Sequence, residues 1–398
     1  MPNLPAPRRI LIVHWDGAGN QPPQRALARA LVRRGHEVHV LTSDSVAAQS
    51  RTDGAVVHRF ATAWQYSSQL QLAPDEELSI IAAKVWGSPA YAADFGAIVE
   101  EVRPDICLID CMLLSILSAC RARGIPTGVL FHSVYGSFDQ LLEPVMEKFA
   151  GAAEKPSYSR FLETFNSVLV FGYPAFSLLT AFAPCVHHVG PIREAVQSAP
   201  WPRRYRERPF ILVSLSTSFQ HQSPVLKRIC EALSSLPVEA LITTGPNMAV
   251  EQFSAGGGVE LRSFVPHDRM LPFTDLLITH AGHGTAVAGA GSGVPMLCMP
   301  MGRDQPFVAS RVEALGLGRS LSPDASVSEI GKTVSDMAGD SRLRASSRAF
   351  AAGVGRFGDL ERAAELAEGI RAGDAFHDGA PDSAGRRGGR ARDGRRSR

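Results

Sequence analysis

Apolar residues over the first fifty positions alternate between two kinds of run. Arg9-Ile10-Leu11-Ile12-Val13 is almost unbroken, the pattern of a strand in a parallel sheet covered on both faces. A Gly-rich turn, Asp16-Gly17-Ala18-Gly19-Asn20, follows, and Pro22-Pro23 can open a helix where a missing N–H costs nothing. From Gln24 to Arg34 the spacing sets Leu27, Ala30 and Leu31 on one face, and Gly35 closes the helix. Glu37-Val38-His39-Val40-Leu41 is the next strand, so the segment is a βαβ unit with a right-handed crossover.

The rhythm continues with strands over 56–60, 105–110, 128–132 and 168–171, and with helices over 91–102 and 113–123. Two stretches break it, residues 61–88 and 134–160, rich in aromatics and Met. Connections this long inside a compact domain are usually functional, and their place after strand ends predicts walls of a substrate pocket. Residues 191–209, with Pro191, Pro200, Pro202 and Pro209, read as a linker. A second alternating series has strands at 210–214, 240–244, 259–264, 275–279 and 294–299. The predicted fold is α/β, two doubly wound Rossmann-like domains facing across a cleft, over 1–190 and 210–372. Residues 373–398 lack an apolar period and are expected to be disordered.

Length and composition agree with this division. The chain has 398 residues, 45% hydrophobic and 20% charged, and a formal net charge of +2. Seven Arg against four Asp in residues 373–398 carry that positive balance, so the globular part has no basic field to attract nucleic acid. The six cysteines form no CxxC pair and sit among apolar neighbours, as small buried hydrophobes do. No run approaches the ~20 apolar residues needed to span a bilayer, and the first strand follows the N-terminus without a secretory h-region. A cytoplasmic protein, monomer or homodimer, without stable membrane insertion or nucleic-acid partner, is expected.

The chemistry concentrates between 264 and 306. A buried strand over Leu276-Leu277-Ile278 delivers His280 and then Ala281-Gly282-His283-Gly284-Thr285 at the mouth of a small-residue helix. Unsatisfied N–H groups and the positive helix end suit an anion, glycine admits it to the backbone, and Thr285 and His280 add donors. One strand later Asp304-Gln305 falls at a strand end, where ligands bind in open α/β sheets. A carboxylate beside an amide both accepts from and donates to sugar hydroxyls. By itself, a turn of this kind is equally compatible with plain helix–sheet packing.

This segment resembles the donor-binding motif of family 1 glycosyltransferases of the GT-B fold, in the actinobacterial branch that decorates natural products. The likeness includes the opening β-turn-α, His188-Val189-Gly190-Pro191, and the strand ending Ser214-Leu215-Ser216-Thr217. It implies that His280 and Thr285 bind the donor diphosphate, with Gly282, His283 and Gly284 in the turn and Thr217 reaching the phosphates. It implies that Phe264, Val265 and His267 form the base-binding turn, where the family usually has Gln at the position of His267. Asp304 and Gln305 match the pair that holds the donor sugar.

Two positions depart from the pattern. Ala288 stands where the family usually has a ribose-binding Glu, which favours a dTDP-sugar slightly over a UDP-sugar. Asn20 stands where the family has its general base, a His oriented by an Asp at the end of a later strand. An amide does not take a proton. Asp110 matches the orienting carboxylate. Asp16 is the first choice of replacement base, Asp110 the second, and His132 and His14 are further alternatives. Asn20, Trp86, His132, Tyr135 and Phe138 are the expected lining of an apolar acceptor pocket. The resemblance thus implies an inverting glycosyltransferase acting on a hydrophobic secondary metabolite. No DxD occurs in the sequence, so no metal and no cofactor beyond the nucleotide-sugar co-substrate are expected. C-glycosylation of an aromatic polyketide and a non-catalytic helper role stand as alternatives.

Overall fold

The computed structural model describes residues 6–51, 54–143, 157–192, 207–218, 220–355, 357–358 and 360–371. The expected linker lies largely, and the expected tail wholly, outside them. The first sheet holds β1 (Arg9–Val13), β2 (Glu37–Thr42), β3 (Val56–Arg59), β4 (Ile106–Asp110), β5 (Thr127–Phe131), β6 (Ser167–Val170) and β7 (Val186–His188). Their order is β3-β2-β1-β4-β5-β6-β7, with every pairing parallel. The second sheet holds β8 (Phe210–Ser214), β9 (Glu239–Thr243), β10 (Val259–Arg262), β11 (Leu276–Thr279), β12 (Met296–Cys298) and β13 (Gly318–Ser320), in the order β10-β9-β8-β11-β12-β13, again parallel.

The unbroken apolar runs follow from this burial. Leu11 and Val13 pack into one core and Ile10 and Ile12 into another on the opposite face of the sheet, all with no exposed surface. In each sheet strand order reverses between the first and fourth strands, beside β1 and β4 and beside β8 and β11. Ligands bind outside the carboxyl ends of strands at such switch points. Here those ends carry the Trp15–Asn20 turn, Asp110, the Ser214–Ser218 loop and His280.

The second expected domain does not keep all of 210–372 to itself. The Leu360–Gly369 helix packs on the first sheet, placing Ala363, Ala364, Ala367 and Ile370 in the core of Ile10, Leu27 and Leu31. Arg34 pairs with Glu361 and Glu368, and His36 Nε2 lies 2.8 Å from Glu368. Its alanine face is as compatible with one sheet as with the other, which is why periodicity does not reveal where it docks. The chain crosses back where Gly358 N–H donates to Val189 C=O at 2.7 Å. A Cβ on Gly190 would lie 2.3 Å from Gly358 N, and both residues have positive φ. This crossing therefore requires glycine.

The 61–88 stretch, expected to be irregular, contains a helix over Pro74–Ile81 followed by a wide turn over Ala82–Trp86. Pro74 at its first turn supplied a start signal.

Candidate functional site

A cavity of about 350 Å³ lies between the two sheets. The first domain contributes Gly17–Asn20, Trp86, His132 and Phe138, and the second contributes Ser214–Ser218, His267, His280, Gly282–Thr285 and Asp304–Gln305. Most of the predicted donor residues thus share one wall.

The turn expected to hold the donor phosphates is built by close approach. β11 ends at Thr279, Ala281 has φ 64°, and the helix His283–Gly291 starts directly behind Gly282. A Cβ on Gly282 would stand 2.4 Å from His280 Nε2, so only glycine lets the turn fold back over the imidazole. His280 Nδ1 and His283 Nε2 are buried without a hydrogen-bond partner among the described residues. Burial, and then the charge of Arg303, lower His280 to about 4. Burial, and then His132, lower His283 to about 3. Both rings are neutral at physiological pH and act as hydrogen-bonding groups, not as cations.

Asp304 and Gln305, the pair expected at the donor sugar, already make hydrogen bonds within the protein. Asp304 accepts from Ser133 Oγ of the first domain at 2.5 Å. Gln305 donates to Gln220 Oε1 at 2.8 Å and accepts from Met301 N–H at 2.7 Å. His267 opens a short helix and meets Ser214 Oγ at 2.7 Å, fixing it to the end of β8. The other two residues of the predicted base turn do not line the cavity. Val265 is buried in the core with Met270 and Leu271, and Phe264 beside it is 70% exposed.

At the first switch point the carboxylates fall differently from expectation. Asp16 accepts from Gln21 Nε2 at 2.7 Å and Ser45 Oγ at 2.8 Å and does not line the cavity. It sits in the Gly-rich turn, and its side chain braces that turn to neighbouring elements. Asp110 is wholly buried and also off the cavity wall. It accepts from Asn20 Nδ2 at 2.7 Å, Gln24 Nε2 at 2.6 Å, Met112 N–H at 3.0 Å and Trp15 Nε1 at 3.3 Å. His132 Nε2 lies 3.2 Å from its Oδ2. Burial would raise Asp110, but His132 and these N–H groups outweigh it and hold the carboxyl at about 2. An anion so stabilised is a poor base and a good orienting group. His14 is packed, with Nδ1 3.0 Å from Thr42 Oγ1, and burial lowers it to about 4.

His132 combines the features that the others lack. It lines the cavity from the end of β5 and pairs with Asp110. Burial pulls it down, and Cys111 and the Asp110 carboxylate push it well above its ordinary value. Its position one strand beyond Asp110 was the available signal. Asp110, Cys111 and His132 also bring one potential metal ligand each within 4.8 Å of one another. Both Asp110 oxygens, however, already accept the N–H bonds described above.

Of the expected acceptor wall, Trp86 and Phe138 line the cavity beside Leu72, Ile81 and Met112, and Trp86 Nε1 has no partner among the described residues. Tyr135 does not line it: the ring packs against Phe131 and Phe182 and its hydroxyl faces Glu163 at 3.4 Å. Part of the 134–160 stretch lies outside the described residues. No helix of the described residues is long and apolar enough to cross a membrane.

Comparison with known proteins identifies the fold and the class of relatives. Residues 227–355 match the C-terminal domain family described as erythromycin biosynthesis protein CIII-like, and residues 21–171 match a glycosyl transferase 4-like domain. A zeaxanthin glucosyltransferase from Pseudescherichia vulneris is 26% identical over 87% of this chain and 94% of its own length. The calicheamicin glycosyltransferase CalG4 superposes with TM-score 0.77 at 21% identity, over 92% of this chain and 98% of that one. The spinosyn rhamnosyltransferase SpnG, solved with thymidine diphosphate, superposes with TM-score 0.72 at 18% identity, over 90% and 100%. With paired Rossmann-like sheets, a cavity between them and glycosyltransferase relatives along nearly the whole chain, the protein is a glycosyltransferase of the GT-B fold.

Proposed function

We propose that the protein transfers a sugar from a nucleotide diphosphate, a dTDP-sugar before a UDP-sugar, to a hydrophobic secondary metabolite with inversion and without a metal ion. The observation that carries this reading is one cavity shared by the two domains. His280, Gly282–Thr285 and Asp304 face it from one domain, and Trp86 and Phe138 from the other. Phosphate, sugar and apolar acceptor can therefore be held side by side. Ala288, buried in the helix behind the phosphate turn, provides no carboxylate for a ribose 2′-hydroxyl, and SpnG binds thymidine diphosphate.

In this reading His132 is the base and Asp110 its orienting carboxylate. The acceptor hydroxyl loses its proton to His132 as its oxygen attacks the anomeric carbon, and the bond from that carbon to the diphosphate breaks on the opposite face. Asn20 keeps the hydrogen bond to Asp110 that the family's histidine would make, without the proton-accepting nitrogen. The test is incubation of the purified chain with dTDP- and UDP-sugars and a panel of polyketide and macrolide aglycones. The expected result is nucleoside diphosphate release coupled to a glycoside of inverted anomeric configuration, in the presence of chelator. Release that requires magnesium would overturn metal independence. A C–C-linked product would select C-glycosylation, and silence broken only by a partner transferase would select the helper role.

A further inference from the structure

Among the described residues lining the cavity, Arg303 is the one lysine or arginine. A diphosphate brings at least two negative charges to a wall that already carries Glu77 and Asp304, and neither motif histidine is charged. The charge must be met by something besides the helix end, and His132, the other lining group able to carry a positive charge, is already paired with Asp110. Arg303 follows Gly302 at φ 145° and itself sits at φ 56°, the left-handed region that a non-glycine residue occupies only at a cost. Such strain persists only where surroundings hold it. Here the holding partner comes from the other domain. Arg303 Nε donates to Glu77 Oε2 at 3.0 Å and Nη2 to Glu77 Oε1 at 2.5 Å, so the carboxylate takes one edge of the fork. Glu77 lies in the Pro74–Ile81 helix and also accepts from Tyr66 OH at 3.1 Å. The opposite edge turns to the phosphate side, where Nη1 donates to Ser218 Oγ at 2.8 Å and Ser218 adjoins Thr217.

We propose that Arg303 is a donor-site residue whose Nη1 edge neutralises the diphosphate, and that Glu77 is the positioning residue that aims it from across the cleft. The assignment rests on the transferase reading above. When the sugar–oxygen bond breaks, its electron pair stays on the diphosphate oxygen, and a fixed guanidinium meets that added charge without a metal ion. The donor site is then complete only while the acceptor domain's helix is docked against it.

Calorimetric titration of the full chain with dTDP and dTMP, and with UDP and UMP, tests this before any acceptor is known. Because Arg303→Ala alone strands a half-buried carboxylate, the informative variant is R303A with E77Q, beside R303K and E77Q singly. A charge-assisted contact to the outer phosphate predicts at least about tenfold weaker diphosphate binding in R303A/E77Q. Monophosphate affinity should stay within about twofold, with partial rescue in R303K. E77Q should reduce the preference for diphosphate over monophosphate by roughly threefold or more at unchanged Tm, which a merely structural role would not do. Equal losses for mono- and diphosphate, or unchanged diphosphate binding, would overturn the assignment and leave the transferase reading intact. A parent chain that binds neither dTDP nor UDP would sink both.

Discussion

His132 owes its proposed role to its neighbours more than to its own type. The Asp110 carboxylate, held at about 2 by His132 and buried N–H groups, remains an anion throughout the physiological range and holds the imidazole above its ordinary value. Only the deprotonated ring accepts a proton, so kcat should rise with pH through a limb above about 6.5. Asp110→Asn removes the charge that holds the imidazole up, so the limb should move to lower pH while the plateau falls. A limb that stays in place in the variant would separate the two residues. His132→Gln should lower kcat by roughly 10²–10⁴ and leave dTDP affinity nearly unchanged, because proton removal stabilises only the transition state. Asn20 Nδ2 already lies 2.7 Å from Asp110 Oδ2. Asn20→His placed in H132Q should therefore recover part of the lost kcat, and no recovery would show that the acceptor hydroxyl sits out of reach of that turn.

At the scale of elements, the turn from His280 to Thr285 is the most constrained piece. Its geometry depends on Gly282 passing within 2.4 Å of His280 Nε2 at the would-be Cβ position. Gly282→Ala should displace the imidazole or the helix start and weaken dTDP binding by at least about tenfold, the scale of a lost oriented donor. Gly282 is only half-buried on the cavity wall, so Tm should change little, and a large fall in Tm would assign the glycine to folding. This motif was legible in the sequence because strand, glycine spacing and helix are contiguous there. The side chains that come together from distant turns were less so. Asp16 and Asn20 share one turn, yet Asp16 braces it through Gln21 and Ser45 while Asn20 faces the cavity. Residue order cannot state which way adjacent side chains of a loop turn. Tyr135 and Phe138 both pack against Phe131, and only Phe138 reaches the cavity. The Glu77–Arg303 pair joins residues far apart in the chain, and no local pattern encodes it.

Over the whole molecule, alternating apolar runs were enough to predict two parallel sheets, because the central strands, covered on both faces, are apolar at nearly every position. They were not enough to assign the Leu360–Gly369 helix, whose docking depends on a crossing made by the Gly190–Gly358 contact and on Arg34 and His36 facing Glu368. That helix ties the two domains by covalent chain as well as by packing, so its stability should be felt in the first domain. Ile370 is 4% exposed in the first-domain core, and a large-to-small change at such a site costs about 2–5 kcal/mol. Ile370→Ala should accordingly lower Tm by several degrees and raise proteolytic cleavage of the first domain. A chain ending after Gly373 keeps every contact described for the helix, and its Tm and dTDP affinity should match those of the parent. If truncation after Gly373 destabilised the protein as much as Ile370→Ala does, the Arg-rich segment would be part of the dock, and the boundary of the folded unit would lie beyond the helix.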